Sequence, residues 1–192
     1  MKPVVIGISG GTGSGKSSLS RDLVKRLSDY NVLMIKSDHF FRHPLPKFTS
    51  PITGLEEDDY NSPDSVDTER LIEAVRNGME DANCQALIVE GILLFCHAGL
   101  LPLLDLKVFI DLDADVRMHR RVSRNTKGFT RFENNNDPSF HFNNYLHFAR
   151  FRDQMYTLPS KIHADLILNG YKLDGIAVDM LEMWIKSRIN NN

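Results

Sequence analysis

The sequence is poor in cysteine, has no excess of basic charge and contains no long apolar run, and each absence excludes a class of protein. Its two cysteines, Cys84 and Cys96, share no metal-ligand spacing and lie in or near apolar segments, so we expect reduced core residues and no disulfide. Lys and Arg number 23 against 25 Asp and Glu, and there is no long basic run, which argues against a nucleic-acid partner.

The apolar run near the N-terminus is interrupted by glycines after a few residues, so it is too short for a signal peptide or a membrane span. We therefore expect a cytoplasmic protein without a membrane partner. Hydrophobic residues make up 42% of the 192 positions and charged residues 25%, which is typical of one globular domain, here residues 1–192. The sequence is compatible with both a monomer and a homo-oligomer.

Short β-branched runs alternate with amphipathic stretches, a pattern typical of an α/β protein with a parallel sheet covered by helices on both faces. Strands are predicted at residues 4–9, 32–37, 86–91, 106–112 and 164–168. Helices are predicted at residues 16–28, 67–80, 113–125, 138–157 and 174–188.

Two segments depart from that alternation. Residues 42–63 are rich in proline and contain an acidic cluster, so we expect an irregular loop that lines a substrate site. Residues 125–137 are polar with a central glycine and lie between two predicted helices, which indicates a mobile lid.

Gly10, Gly15, Lys16 and Ser17 fit the pattern GxxxxGK[ST] between a predicted strand and a predicted helix. In such a loop backbone N–H groups surround phosphate oxygens, the lysine reaches the β- and γ-phosphates and the hydroxyl binds Mg²⁺. The alternative is a glycine-rich turn that only packs tightly. The expected nucleotide-binding residues, here called the phosphate loop, are Gly10, Gly11, Thr12, Gly13, Ser14, Gly15, Lys16, Ser17 and Ser18.

Two carboxylates lie at the ends of predicted strands, at the sheet edge where ligands bind in open α/β folds. Asp38 is placed to accept a hydroxyl proton during phosphoryl transfer, although a turn aspartate is the alternative. Glu90 ends an apolar strand, where a carboxylate is costly unless paired or near a metal, so we expect it beside Mg²⁺. No Asn-Lys-x-Asp motif supports a GTPase.

Arg117, Arg120, Arg121 and Arg124 share one face of a predicted helix that leads into the lid. Arg120, Arg121 and Arg124 are the candidates for neutralising the transferring phosphoryl group. Arg117, farther from the lid, is expected to be a solvated arginine.

Five aromatic residues recur along the predicted helix 138–157, and their spacing favours a side that faces the core. They are Phe140, Phe142, Tyr145, Phe148 and Phe151. The histidines form no metal set, and His39, beside Asp38, is the one expected to touch substrate.

The segments GISGGTGSGKSS, DHFF after residue 37, YNSPDSVD, VEGILLF, DLDADVRMHRRVSRN and LPSKIHADLIL together resemble the uridine kinase family of P-loop nucleoside kinases, which includes nicotinamide riboside kinases. The resemblance covers nearly the whole chain. It implies a doubly wound parallel sheet with a helical lid, ATP and Mg²⁺ as cofactors, and a nucleoside 5′-hydroxyl as acceptor. It places the catalytic base at Asp38 and substrate contacts at His39, Phe41, Tyr60, Asn61 and Arg121.

The chain departs from the uridine kinase pattern in two places. Asn61 stands where that family has a ribose-binding aspartate, so the hydrogen bond survives without the charge. Only residues 78–85 separate the predicted helix 67–80 from the next strand, so the family's pyrimidine-site hairpin is missing. Nicotinamide riboside kinases resemble this chain in that absence and in a tyrosine at the position of Tyr60, whose ring could stack on a cationic pyridinium.

The sequence thus predicts an ATP-dependent kinase of nicotinamide riboside or of uridine and cytidine, with the missing hairpin favouring the former. The alternatives are a P-loop kinase of another small hydroxylated metabolite, such as pantothenate, glycerate or a sugar phosphate, and an inactive nucleotide-binding protein. Of the lid cations, both Lys127 and Arg131 are candidates for the phosphates.

Overall fold

The computed structural model describes residues 2–125 and 137–191. The central sheet consists of five parallel strands, β1 (Val4–Gly10), β2 (Val32–Lys36), β5 (Ala86–Glu90), β6 (Leu106–Asp111) and β7 (Leu166–Asn169). Their order in the sheet is β2-β5-β1-β6-β7. The predicted five-stranded parallel sheet is confirmed.

Burial explains why these strands are apolar along their whole length. Every residue of β1 and β5 is buried, because both faces of the sheet are covered. The edge strands β2 and β7 keep exposed positions, among them Leu33 and Ile167.

Helices cover both faces of the sheet. They are α1 (Lys16–Arg26), α2 (Thr68–Glu80), α3 (Ala114–Asn125), α4 (Pro138–Asn144), α5 (Arg150–Arg152) and α6 (Ile176–Asn191). One core cluster joins the sheet to α1 and α6, and a second joins it to α2 and to the turns that follow β5. Among residues 2–125 and 137–191, no helix is long and apolar enough to cross a membrane.

The predicted continuous helix 138–157 is wrong in detail. After α4 the chain forms a π-helix at Tyr145–Ala149, the short α5, and a second π-helix at Asp153–Thr157. Each π-turn shifts the angular phase of the side chains that follow it. Of the five aromatic residues, Tyr145 and Phe148 are buried as expected, whereas Phe142, in α4 before the first π-turn, is 40% exposed.

The loop 42–63 is more ordered than predicted. It contains an antiparallel hairpin of β3 (Lys47–Thr49) and β4 (Glu56–Asp58), separate from the main sheet. The hairpin leads into Tyr60 and Asn61 and forms one wall of the candidate site described below. The predicted lid 125–137, including Lys127 and Arg131, lies almost wholly outside the described residues, which resume at Asp137.

Candidate active site

The phosphate loop connects β1 to α1 through three glycines in a left-handed or otherwise positive-φ conformation. Gly10, Gly13 and Gly15 have φ of 143°, 80° and 110°, values that L side chains rarely adopt. The turn is closed by the Ser14 N–H, which donates to the Gly11 carbonyl oxygen at 3.1 Å. This geometry aims the N-terminus of α1 at the space in front of the loop, the arrangement suited to a phosphate.

Lys16 is held within the loop itself. Its side chain is only 8% exposed, and its Nζ donates to the carbonyl oxygens of Gly10 at 2.8 Å and Gly11 at 3.1 Å. Burial lowers the pKa of Lys16 from 10.5 to about 8, and the nearby carboxylates of Glu90 and Asp38 oppose that shift. The lysine is therefore close to both candidate acidic residues.

Arg117 supports the phosphate loop from behind, which corrects the expectation that it is solvated. Its side chain is 2% exposed, donates through Nε to the Leu112 carbonyl oxygen at 3.0 Å and forms an ion pair with the buried Asp153. A Cβ at Gly11 would overlap the Arg117 guanidinium, and one at Gly13 would overlap the Arg117 carbonyl oxygen. Glycine is thus required at both positions by close packing against α3.

A cavity of about 820 Å³, here called the acceptor cavity, opens in front of the phosphate loop at the carboxyl edge of the sheet. Asp38, in the 3-10 turn Ser37–Phe40 directly after β2, lines it together with Lys16 and Ser17. Glu90, the last residue of β5, also lines it, although it is only 5% exposed.

Ser17 and Glu90 form a donor set that suits Mg²⁺. A hydroxyl and one carboxylate are the usual protein contribution, with phosphate oxygens and water completing the shell. The Ser20 hydroxyl donates to Glu90 Oε2 at 3.4 Å, so one carboxylate oxygen already has a partner. Within the described ranges there is no cluster of three or more His, Cys, Asp or Glu residues that could hold a metal ion.

A second cavity of about 780 Å³, here called the donor cavity, lies on the other side of the phosphate loop. It is lined by Gly15, Ser18 and Arg120, and by the turn before α6 at Tyr171 and Leu173. The two cavities share five residues. These are Gly13, Lys16, Ser17, Lys36 and Arg124.

The predicted nucleotide-binding residues of the phosphate loop fall into two groups according to their position. Thr12, Gly13, Gly15, Lys16, Ser17 and Ser18 line one or both cavities. Gly10, Gly11 and Ser14 lie behind that surface, where they shape the turn and carry the acceptors of Lys16 Nζ.

The three predicted phosphate arginines occupy different places. Arg121 is 8% exposed and lines the acceptor cavity, with Nη1 at 3.5 Å from Thr12 Oγ1. Arg124 lines both cavities. Arg120 faces the donor cavity only and donates to the Gly170 carbonyl oxygen at 3.0 Å.

The predicted substrate residues His39, Phe41, Tyr60 and Asn61 all line the acceptor cavity. The rings of Phe41 and Tyr60 meet edge to face with centroids 5.4 Å apart. The structure thus brings together residues that lie about twenty positions apart in sequence.

Sequence reasoning missed several residues that line the same cavity. The ring centroids of Phe48 in the hairpin and Phe148 in the first π-helix lie 6.3 Å apart, edge to face, and Asn144 hydrogen-bonds to both Arg121 and Glu57. Phe148 belongs to the aromatic series of residues 138–157, which could have indicated a binding surface, but the same spacing also fits a side of a helix that faces the core. Glu57 and Asn144 carried no such indication, because their roles depend on contacts between distant segments.

Comparison with known proteins finds curated relatives whose names agree with one another. Residues 6–140 match a family model described as an AAA domain. A uridine kinase of Clostridium botulinum is 30% identical, covering 96% of this chain and 97% of that protein. A uridine kinase of Latilactobacillus sakei is 28% identical over 99% of this chain and 96% of that protein. A chloroplastic uridine/cytidine kinase of Arabidopsis thaliana is 28% identical, but the chain spans only 43% of its length.

Solved structures show the same fold. A possible uridine kinase from Bacillus stearothermophilus superposes with a TM-score of 0.55 at 15% identity, covering 88% of this chain and 90% of that one. A phosphoribulokinase from Rhodobacter spheroides gives 0.58 at 12% identity, over 90% of this chain and 74% of that one. With the phosphate loop in place and bacterial relatives aligned over almost their full length, the chain belongs to the uridine kinase family of ATP-dependent P-loop nucleoside kinases.

Proposed function

We propose that the chain transfers the γ-phosphoryl group of ATP to the 5′-hydroxyl of a pyrimidine ribonucleoside, uridine or cytidine. The curated relatives named uridine kinase support the choice of nucleoside. The observation that carries the reaction is the junction of the two cavities at Lys16 and Ser17, because it lets ATP and an acceptor meet at one phosphate site.

In this reaction Asp38 is the general base. Its carboxylate lines the acceptor cavity and accepts the 5′-hydroxyl proton as the oxygen attacks the γ-phosphorus. The bond from the γ-phosphorus to the β,γ-bridging oxygen breaks, and ADP and a nucleoside 5′-monophosphate leave.

Cationic groups neutralise the charge on the phosphates. Lys16, Arg121 and Arg124 line the acceptor cavity beside the phosphate loop, where their charges stabilise the equatorial oxygens of the transferring group. Arg120, on the donor side, is assigned to ATP. Ser17 and Glu90 would hold Mg²⁺, which supplies neutralising charge to the β- and γ-phosphates.

The aromatic and amide groups of the acceptor cavity are assigned to the nucleoside. The Asn61 side chain donates hydrogen bonds to the ribose hydroxyls and accepts hydrogen bonds from them. Phe41, Tyr60, Phe48 and Phe148 offer apolar ring surface to a planar base. His39 lies beside Asp38 on the same cavity wall.

Nicotinamide riboside is the second candidate acceptor, and two observations favour it. α2 ends at Glu80 and β5 begins at Ala86, so the structure has no hairpin between them. In addition, Tyr60 stands in a cavity wall that includes the carboxylate of Glu57, which suits a cationic ring.

The test is a coupled ADP-release assay with Mg-ATP against uridine, cytidine, nicotinamide riboside, pantothenate and glycerate in parallel. We expect turnover with uridine and cytidine and a nucleoside 5′-monophosphate as product. Turnover with nicotinamide riboside alone would replace the pyrimidine nucleosides by the second candidate. Turnover only with pantothenate or glycerate, or with no acceptor, would contradict the proposal.

A further inference from the structure

Three side chains link the hairpin to the phosphate loop across the acceptor cavity. Arg121 Nη2 donates to Asn144 Oδ1 at 2.8 Å, and Asn144 Nδ2 donates to Glu57 Oε2 at 3.2 Å. Arg121 in turn reaches Thr12 of the phosphate loop through Nη1. Glu57 belongs to β4, Asn144 is the last residue of α4 and Arg121 belongs to α3, so the link joins three separate segments.

The chemistry of an asparagine suits the central place in this link. A guanidinium only donates hydrogen bonds and an ionised carboxylate only accepts them, whereas the side-chain amide of asparagine does both from fixed atoms. Asn144 can therefore accept from Arg121 and donate to Glu57 at the same time.

The hairpin end of the link is itself anchored. Arg152 of α5 lies over the Phe48 ring at 4.1 Å and forms an ion pair with the buried Asp59 at 2.7 Å. Glu57 thus projects from a hairpin that α5 holds in place. Three residues after Glu57 the chain reaches Tyr60, which lines the same cavity.

We propose that Asn144 is a positioning residue for phosphoryl transfer, which fixes the Arg121 guanidinium at the phosphate site by tying it to the hairpin at Glu57. The inference rests on the proposed function, since it concerns the same cavity and the same transferred group. Asn144 acts through Arg121 and is given no contact with the substrate.

The first test compares Asn144→Ala with Asn143→Ala. Asn143 is the preceding residue of α4 and is exposed, so it is a matched control. Because a misplaced cationic group loses transition-state contacts, we expect Asn144→Ala to lower kcat on the order of tenfold while the KM for the nucleoside changes little. Asn143→Ala should behave as the wild type. Equal kcat values for the two variants would overturn the proposal.

The second test is a double-mutant cycle with Arg121→Ala, or with Arg121→Lys if the alanine variant does not fold. If Asn144 acts through Arg121, adding Asn144→Ala to the Arg121 variant should lower kcat by less than about twofold more. A further loss equal to that seen in the wild-type background would show an independent role and overturn the proposal.

A failure of the proposed function can be distinguished from a failure of the role assigned to Asn144. If the wild type phosphorylates no nucleoside, the same cycle is measured on the dissociation constant for Mg-ATP by calorimetry. Asn144→Ala should then weaken ATP binding only when Arg121 is present. Equal weakening in both backgrounds, or none in either, would overturn the role of Asn144.

Discussion

Lys16 occupies a position that lowers the stability of the folded protein and that suits a phosphate ligand. The side chain is almost fully buried, and burial lowers its pKa to about 8. A shift from 10.5 to about 8 corresponds to roughly 3 kcal/mol against the charged form in the folded state. Phosphate binding reverses this cost, because it brings negative charge to the ammonium group.

A Lys16→Met variant should therefore be more stable and unable to bind ATP normally. Removing the buried charge raises the free energy of unfolding, but the loss of the two hydrogen bonds of Lys16 Nζ lowers it by about 2 kcal/mol. The expected net gain in the free energy of unfolding is on the order of 1 kcal/mol at pH 7. Urea denaturation measures the free energy of unfolding, and Lys25→Met, on the exposed side of α1, is the control.

The gain from Lys16→Met should depend on pH in a defined direction. Because the folded pKa lies below the unfolded one, the full penalty is present below about pH 8 and disappears as pH rises toward 10.5. The stability advantage of Lys16→Met should thus fall over that interval and become a deficit of about 2 kcal/mol near pH 10.5, where only the loss of the two hydrogen bonds remains. A difference that stays constant from pH 7 to 10.5 would contradict the proposed burial of the charge.

At the same scale, some residues could be predicted from the sequence and others could not. The phosphate loop is local, so its spacing alone placed Lys16 and Ser17 at the cavity. Arg117 and Arg121 share a helix face and both are buried, but Arg121 lines the acceptor cavity, whereas Arg117 packs behind the loop and pairs with Asp153, a residue 36 positions away. A helix pattern indicates which residues share a face, but the partner of that face is tertiary information.

Among the elements, α3 does the most to fix the active site. Its Arg117 joins the end of β6, the phosphate loop and the second π-helix through Leu112, Thr12 and Asp153. All of these contacts are buried or nearly so. These contacts fix α3, which presents Arg121 and Arg124 to the cavities, against the phosphate loop.

Breaking the ion pair between Arg117 and Asp153 should lower the free energy of unfolding. Arg117→Met leaves the Asp153 carboxylate buried without its cation, for which we expect a loss of about 3–5 kcal/mol in the free energy of unfolding. Arg76→Met, at an exposed position of α2, should change it by no more than about 0.5 kcal/mol. Thermal and urea unfolding measure both, and similar values for the two variants would rule out a structural role of the pair.

The elements that escaped prediction are those held by contacts rather than by their own sequence. The strands β3 and β4 have three residues each and no alternating apolar pattern, and the hairpin is held by Phe148 and Arg152. The π-turns of residues 145–157 likewise leave no mark in a helical pattern. Both features form the acceptor cavity, so the cavity wall was the least predictable part of the site.

For the whole molecule, the parallel sheet accounts for the site. All five strands run the same way, so the residues that follow β1, β2 and β5 meet at one edge. The alternation of strands and helices was sufficient to predict that edge and the meeting of Lys16, Asp38 and Glu90 there. The hairpin and the first π-helix, which line the acceptor cavity, were not predicted, and the sequence left the choice between nicotinamide riboside and the pyrimidine nucleosides open.

The most direct test of the account is the rate of nucleoside 5′-monophosphate formation from Mg-ATP and uridine by the wild type and by Asp38→Asn. The asparagine keeps the size of the side chain but cannot take the hydroxyl proton. We expect kcat to fall by at least about a hundredfold, while the dissociation constant for Mg-ATP stays nearly the same. An unchanged kcat in Asp38→Asn would contradict the assignment of Asp38 as the base and with it the proposed arrangement of the acceptor cavity.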